Sequence, residues 1–218
     1  MKKVLIISGG SLDEQFARQF LDVWRPDLTI AADRGLAFFS HQGLVPDIIV
    51  GDFDSQDISL LEDFRDLPDI TIRTFNPVKD WTDTEIALNA AVEAGAEEVC
   101  FLGATGTRMD HSLSNVYNLY KLWEKGITGR IVDPHNSICM PLEKCFSLRK
   151  DSQFGDFVSF FPFGGDVKGL TLQGFDYPLD HYDLDARNGG LCVSNQIREE
   201  EAKVSYESGL LVMMQTRD

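Results

Sequence analysis

Aspartate and glycine recur together in this chain, at the ends of short apolar runs. Ser8-Gly9-Gly10 follows the first run, Asp33-Arg34-Gly35 the second and Gly51-Asp52-Phe53-Asp54-Ser55 the third. The stretch from Asn76 to Asp83 follows the fourth, and Gly103 to His111 the fifth. In the third loop Asp52 and Asp54 are two positions apart, and a turn at Gly51 can bring both carboxylates to one point. Two carboxylates held close repel unless a cation or proton intervenes. Magnesium, shared between carboxylates and substrate phosphates, resolves that repulsion. The competing reading is an acidic turn in which an aspartate caps a helix starting near Gln56 or Asp57. The other acidic loops on the same sheet edge favour the metal.

Lys79-Asp80-Trp81-Thr82-Asp83-Thr84-Glu85 opens the most regular helical stretch. Thr82 or Asp83 can cap that helix, with Glu85 completing a capping box. Lys79 beside a helix start is a phosphate contact, Asp83 a third metal ligand or base, and Asp80 a further acid in the loop. Trp81 reads as packing. Gly103-Ala104-Thr105-Gly106-Thr107-Arg108-Met109-Asp110-His111 opens another helix. Its glycines allow close backbone approach to phosphate, and Arg108 can clamp one with two hydrogen bonds. Asp110 either binds ligand or caps the helix near His111, and His111 has a structural or hydrogen-bonding role. The loop is neither a Walker A sequence nor G-x-G-x-x-G. Neither a Ser-His-Asp nor a Cys-His arrangement stands out. Metal, positive clamps and carboxylates suit phosphoryl-type transfer, in which positioning and charge neutralisation dominate.

The elements that must hold these loops alternate in type. Strands are expected at Val4–Ile7, Thr29–Ala32, Ile48–Val50, Ile70–Thr74, Val99–Leu102 and Arg130–Val132. Helices are expected over Leu12–Trp24 (capped by Ser11), Leu36–His41, Ile58–Phe64, Thr82–Ala94 and His111–Trp123. That alternation implies a parallel sheet with helices on both faces. In such sheets ligands bind beyond the carboxyl ends of the strands, where the acidic loops fall. After about Pro134 the runs become short and strand-like, as at Phe157–Phe161, Gly169–Leu172, Leu191–Ser194 and Leu210–Met214. These predict a small antiparallel sandwich or barrel without helices.

The 218 residues suffice for one large domain or two small ones. A formal net charge of -15 makes nucleic acid and anionic membrane poor partners. Four cysteines without C-x-x-C or zinc spacing fit a reducing cytosol, so a cytoplasmic location is expected. Cys100 and Cys192 lie in apolar runs and read as buried thiols. The opening apolar run stops at Gly9-Gly10, too short for a signal peptide, and no stretch is long and apolar enough to span a bilayer.

With Ala32-Asp33-Arg34-Gly35, G-D-F-D-S, K-D-W-T-D-T-E, G-A-T-G-T-R-M-D-H and Asn115 in this order, the chain resembles the bacterial thiamin pyrophosphokinases. Phe175–Leu179 and Ser194-Asn195 extend the resemblance into the second half. It implies an α/β nucleotide domain over residues 1–135 and a β-sandwich thiamin-binding domain over 140–218. It implies transfer of a pyrophosphoryl group from ATP to the hydroxyl of thiamin, giving thiamin diphosphate and AMP. It further implies Mg2+ and a homodimer, with thiamin between one protomer's catalytic domain and its partner's β domain. By the same resemblance Asp52, Asp54 and Asp83 form the magnesium set. Gly9, Gly10, Asp33, Gly35, Lys79, Asp80, Thr82, Gly103, Thr105, Arg108, Asp110, His111 and Asn115 belong to the nucleotide site. Ser194 and Asn195 are thiamin contacts, against the alternative of a polar turn after Leu191–Val193. No tryptophan follows Asn195, as one does in some relatives. The rival readings are a diphosphokinase acting on another hydroxymethyl heterocycle and a non-catalytic nucleotide sensor.

Overall fold

Strands of four and five residues, apolar and buried at the sheet centre, form the parallel sheet of the computed structural model, which describes residues 1–52, 58–68, 70–74 and 81–218. The first of two compact units, Met1–Pro134, alternates strand and helix. Its elements are β1 (Lys3–Ile7), α1 (Glu14–Trp24), β2 (Leu28–Ala32), α2 (Leu36–Gln42), β3 (Ile48–Gly51) and α3 (Ile58–Arg65). They continue with β4 (Thr71–Thr74), α4 (Asp83–Glu93), β5 (Glu98–Leu102), α5 (Met109–Glu124) and β6 (Thr128–Val132). Every pairing among these strands is parallel, in the order β4-β3-β2-β1-β5-β6. Val4 to Ile7 and Val99 to Leu102 are almost wholly buried, as expected of central strands without a solvent face. The α/β class and the helical and strand periods agree with the sequence.

The strand order contains one consequence that the sequence does not show. The chain runs outward from β1 through β2 and β3 to β4, then crosses back to lay β5 on the other side of β1. The direction of winding therefore reverses between β1 and β5. Loops leaving two neighbouring strands in opposite directions open a crevice, which is where doubly wound sheets bind ligands. The register Ile7↔Leu102 places Ser8 and Gly103 at the floor of that crevice.

Two helix starts differ from expectation. Helix α1 is capped by Asp13, whose carboxylate accepts from Phe16 N–H at 2.8 Å, and not by Ser11. Helix α5 begins at Met109 with Arg108 in the cap position and no side-chain cap. Asp110 therefore lies inside the first turn and does not cap the helix; it accepts from the neighbouring His111 N–H at 3.0 Å.

The second unit, His135–Asp218, is built of antiparallel strands. They are β7 (Asn136–Cys139), β8 (Cys145–Arg149), β9 (Phe157–Pro162), β10 (Val167–Gln173), β11 (Leu179–Leu184), β12 (Glu201–Ser205) and β13 (Leu211–Thr216). Strand β13 pairs with β7 and β9, and a separate sheet runs β11-β10-β12-β8. Val158, Phe160 and Leu211 from the first group and Leu170, Leu172 and Val204 from the second fill one core. The expected strand at Leu191–Ser194 is instead the end of a 3-10 segment, Ala186–Cys192. Asp185 starts that segment by accepting from Arg187 and Asn188 N–H at 2.8 and 3.2 Å. Leu191 and Val193 remain half exposed, so the burial that would favour a strand there is missing. Among the described residues, no helix is long and apolar enough to cross a membrane.

Candidate active site

A cleft of about 420 Å³ opens at the β1/β5 switch point. Residues Ser8 to Ser11, Ala32 to Arg34, Thr82 to Thr84 and Gly103 to Arg108 line it, with His111, Ser112 and Asn115 from α5. The loops after β1 and β5 are joined backbone to backbone. Gly10 N–H donates to the Gly103 carbonyl at 2.7 Å and Ser11 N–H to that of Thr105 at 2.8 Å. A Cβ on Gly10 would sit 2.4 Å from both carbonyl oxygens, so only glycine permits this approach. Gly103, at φ +62, leaves similarly little room beside the Ser8 carbonyl. The Gly10 amide is therefore spent on the neighbouring loop. Gly10 shapes the cleft through its size and not as an anion donor. Gly35 does not line the cleft; a Cβ there would lie 2.0 Å from the Ile7 carbonyl oxygen, so it seats the turn after β2 against β1.

Asp33 lines the cleft from a left-handed backbone, φ 51, at the first residue of a 3-10 turn. Aspartate tolerates this conformation better than most side chains, yet it remains strained, and such strain concentrates at functional sites. Helix α4 packs against β1, β2 and β3 and brings its N-terminus to the cleft. Thr82 caps it by accepting from Glu85 N–H at 3.2 Å. The Glu85 carboxylate does not complete a reciprocal box; it pairs with Lys121 on α5. Asp83 follows as the first helical residue, and Thr84 donates its hydroxyl to Ser8 Oγ at 3.1 Å. The positive end of the α4 dipole thus faces the cleft beside a carboxylate, an arrangement able to hold an anion and a cation together.

On the opposite wall the loop after β5 is held from below. Asn115 donates to the Ala104 carbonyl at 2.7 Å, and Asn118 donates to Asn115 Oδ1 at 3.3 Å, both buried. Thr105 donates to Asp133 Oδ2 at 2.8 Å. Arg108 and His111 line the cleft, whereas Asp110 grips Arg108 from outside its lining. The Arg108 guanidinium holds the Asp110 carboxyl below the usual carboxylate range.

Asp52 follows β3 directly and is half-buried, outside the lining of the cleft. Asp54, Lys79 and Asp80 lie outside the described residues. Among the described residues no group of three or more His, Cys, Asp or Glu side chains could hold a metal ion. Asp52 and Asp83 carry hard oxygen donors of the kind magnesium takes.

Ser194 and Asn195 lie in the second unit. Ser194 is exposed and left-handed, φ 57, with its N–H on Ser159 Oγ at 3.0 Å. Asn195 is buried and its amide is committed: Oδ1 accepts from Tyr177 and Gln196 N–H at 3.0 and 2.9 Å, and Nδ2 donates to the Tyr177 carbonyl at 2.8 Å. It ties the Tyr177 turn to β9, through backbone bonds with Val158. The sequence reading did not single out Ser8, Thr84 or Ser112. A serine ending an apolar run ahead of Gly-Gly was the available signal for Ser8. Thr84 was hidden by the capping reading of its neighbours.

Comparison with known proteins bears on both units. Residues 21–131 match the model of the thiamin pyrophosphokinase catalytic domain, and residues 145–211 that of the thiamin pyrophosphokinase vitamin B1 binding domain. The chain is 31% identical over 230 aligned residues to thiamine pyrophosphokinase of Bacillus subtilis, covering all of both proteins. The crystal structure of a Bacillus subtilis thiamine pyrophosphokinase superposes with a TM-score of 0.87 at 30% identity, over 100% of each chain. That of the Geobacillus thermodenitrificans protein gives 0.83 at 30% identity, over 99% of this chain and 98% of the other. The yeast enzyme, 15% identical, shares the fold with a TM-score of 0.79, over 99% of this chain and 86% of its own. On both matched domains and a full-length relative, the chain belongs to the thiamin pyrophosphokinase family and is an enzyme of the transferase class.

Proposed function

We propose that this chain transfers the pyrophosphoryl group of ATP to the hydroxyl of thiamin, releasing AMP, with magnesium and as a homodimer. The observation that supports it most is the cleft at the β1/β5 switch point. There the α4 N-terminus, Asp83 and Arg108 surround a space suited to a polyphosphate. The match of residues 145–211 to a vitamin B1 binding domain supports thiamin as acceptor.

In this reading the thiamin hydroxyl oxygen attacks the β-phosphorus in line. The bond from that phosphorus to the oxygen bridging it to the α-phosphorus breaks, and AMP leaves with the bridging oxygen. The hydroxyl proton passes to a carboxylate at the cleft, for which Asp83 is the described candidate. The α4 amides and Arg108 orient and neutralise the phosphates, so binding energy goes into alignment. Asp52 and Asp83, with Asp54 of the same G-D-F-D-S loop, are the residues that would hold magnesium, which when bound neutralises polyphosphate charge.

The test is AMP formation from ATP and magnesium, with and without thiamin. The expected result is thiamin-dependent AMP matched by thiamin diphosphate. ADP in place of AMP would show single-phosphate transfer and sink the proposal. Turnover with a hydroxymethyl pterin but not with thiamin would reassign the acceptor.

A further inference from the structure

We propose that the Ser8 hydroxyl is a hydrogen-bond donor to an anionic phosphate oxygen at the floor of the cleft, with Thr84 as the positioning residue that directs it. The inference rests on the nucleotide reading above.

Ser8 is only 3% exposed yet lines the cleft. Its backbone is fixed twice. Ser8 N–H donates to the Leu102 carbonyl at 2.9 Å, and Gly103 lies so close that a Cβ there would sit 2.4 Å from the Ser8 oxygen. Thr84 Oγ1 donates to Ser8 Oγ at 3.1 Å, reaching from the first turn of α4 to the end of β1. That bond uses Ser8 as acceptor. Its own proton has no acceptor among the described residues. A buried donor without a partner costs free energy, and a ligand oxygen in the cleft removes that cost. The bond from Thr84 also polarises the Ser8 hydroxyl, making it a stronger donor. The bond joins the first turn of α4 to the end of β1, so the pair also holds the α4 N-terminus in register with the loop after β1.

The experiment compares the parent with Ser8→Ala, Thr84→Val, Thr84→Ser and the double variant Ser8→Ala/Thr84→Val. Affinity for α,β-methylene-ATP with magnesium is measured by calorimetry, alongside kcat, KM and urea midpoints. Ser8→Ala is expected to weaken binding about tenfold and Thr84→Val several-fold, while Thr84→Ser stays near the parent. Because Thr84 acts through Ser8, the double variant binds no worse than Ser8→Ala alone. Losses that multiply in the double variant, or unchanged affinity in Ser8→Ala while the parent binds and turns over, would overturn the proposal. A parent chain that does not bind the analogue overturns the nucleotide reading and the Ser8 assignment together, which is a different result.

Discussion

Arg108 and Asp110 hold each other by two hydrogen bonds, Nη2 to Oδ2 at 2.6 Å and Nε to Oδ1 at 3.2 Å. Both side chains are exposed, and Arg108 alone of the two lines the cleft. The guanidinium fork that could clasp a phosphate is occupied by a carboxylate of the same loop. An arriving polyphosphate must compete with Asp110 for it, and a doubly charged phosphate oxygen set is the stronger partner. Asp110→Asn is therefore expected to tighten nucleotide binding a few-fold and to make it fall more steeply with salt, because the uncovered guanidinium adds an attraction that salt screens. Arg108→Ala is expected to weaken it by about tenfold or more. Calorimetric titration at two ionic strengths reads both, and weaker binding by Asp110→Asn would show that Asp110 is itself a ligand contact.

Asp83 occupies the first turn of α4, where its charge meets the positive end of the helix dipole. Thr82, not Asp83, supplies the cap. Replacing Asp83 by Asn therefore leaves the helix start intact and costs about 0.3–1 kcal/mol of stability. Its effect on turnover is expected to be far larger, about a hundredfold or more in kcat, because a metal or proton-accepting carboxylate is lost. Urea unfolding and steady-state kinetics on one preparation separate the two. A variant that turns over like the parent removes Asp83 from the chemistry.

The elements were legible because each advertises itself locally. Ile86, Ala87, Ala90 and Ala91 repeat at helical spacing and are all buried, and the loop aspartates and glycines fall after the strands. What placed the cleft was not local. That β5 returns beside β1 is a pairing across some 95 residues, as in Ile6↔Phe101, and no spacing rule encodes it. The Ser8–Thr84 bond depends on that return and was hidden for the same reason. Ser11 and Asp13 are equally good caps by type, and only carboxylate reach to Phe16 N–H separates them. Leu191 and Val193 read as strand by apolar identity, but Asp185 and Gly189-Gly190 bend the chain before a partner can pair with them. The resemblance puts Gly35 in the nucleotide site, whereas what requires a glycine there is its contact with the Ile7 carbonyl.

Neighbouring Ser194 and Asn195 should respond to substitution with opposite signs. Removing the Asn195 amide leaves buried backbone groups of Tyr177 without partners, so Asn195→Ala is expected to cost about 2–4 kcal/mol. Ser194 has φ 57, and glycine relieves that strain, so Ser194→Gly is expected to stabilise by up to about 1 kcal/mol. The resemblance implies that Ser194 contacts thiamin; on that expectation Ser194→Gly raises KM for thiamin several-fold with kcat little changed. An unchanged KM would leave Ser194 with a purely structural role in its turn.

Burial pushes the Cys100 thiol up to about 12. In an unfolded chain a thiol ionises near about 8.5. Below that value both states hold the proton and the thiol adds no pH dependence. Above it the unfolded chain releases a proton that the folded chain keeps, so the unfolded state binds fewer protons and stability falls as pH rises. The loss continues until the folded thiol itself ionises. For one thiol this amounts to about 1 kcal/mol between about pH 8.5 and about pH 9.5. Lysines and tyrosines titrate in the same range, so the informative quantity is the difference between the parent and Cys100→Ala. The variant is less stable at neutral pH because it leaves a small cavity in β5, and that deficit is expected to shrink by the stated amount over the interval. Urea midpoints for both proteins across the range measure it. A deficit constant with pH would mean that the Cys100 thiol reaches solvent and ionises in the folded chain.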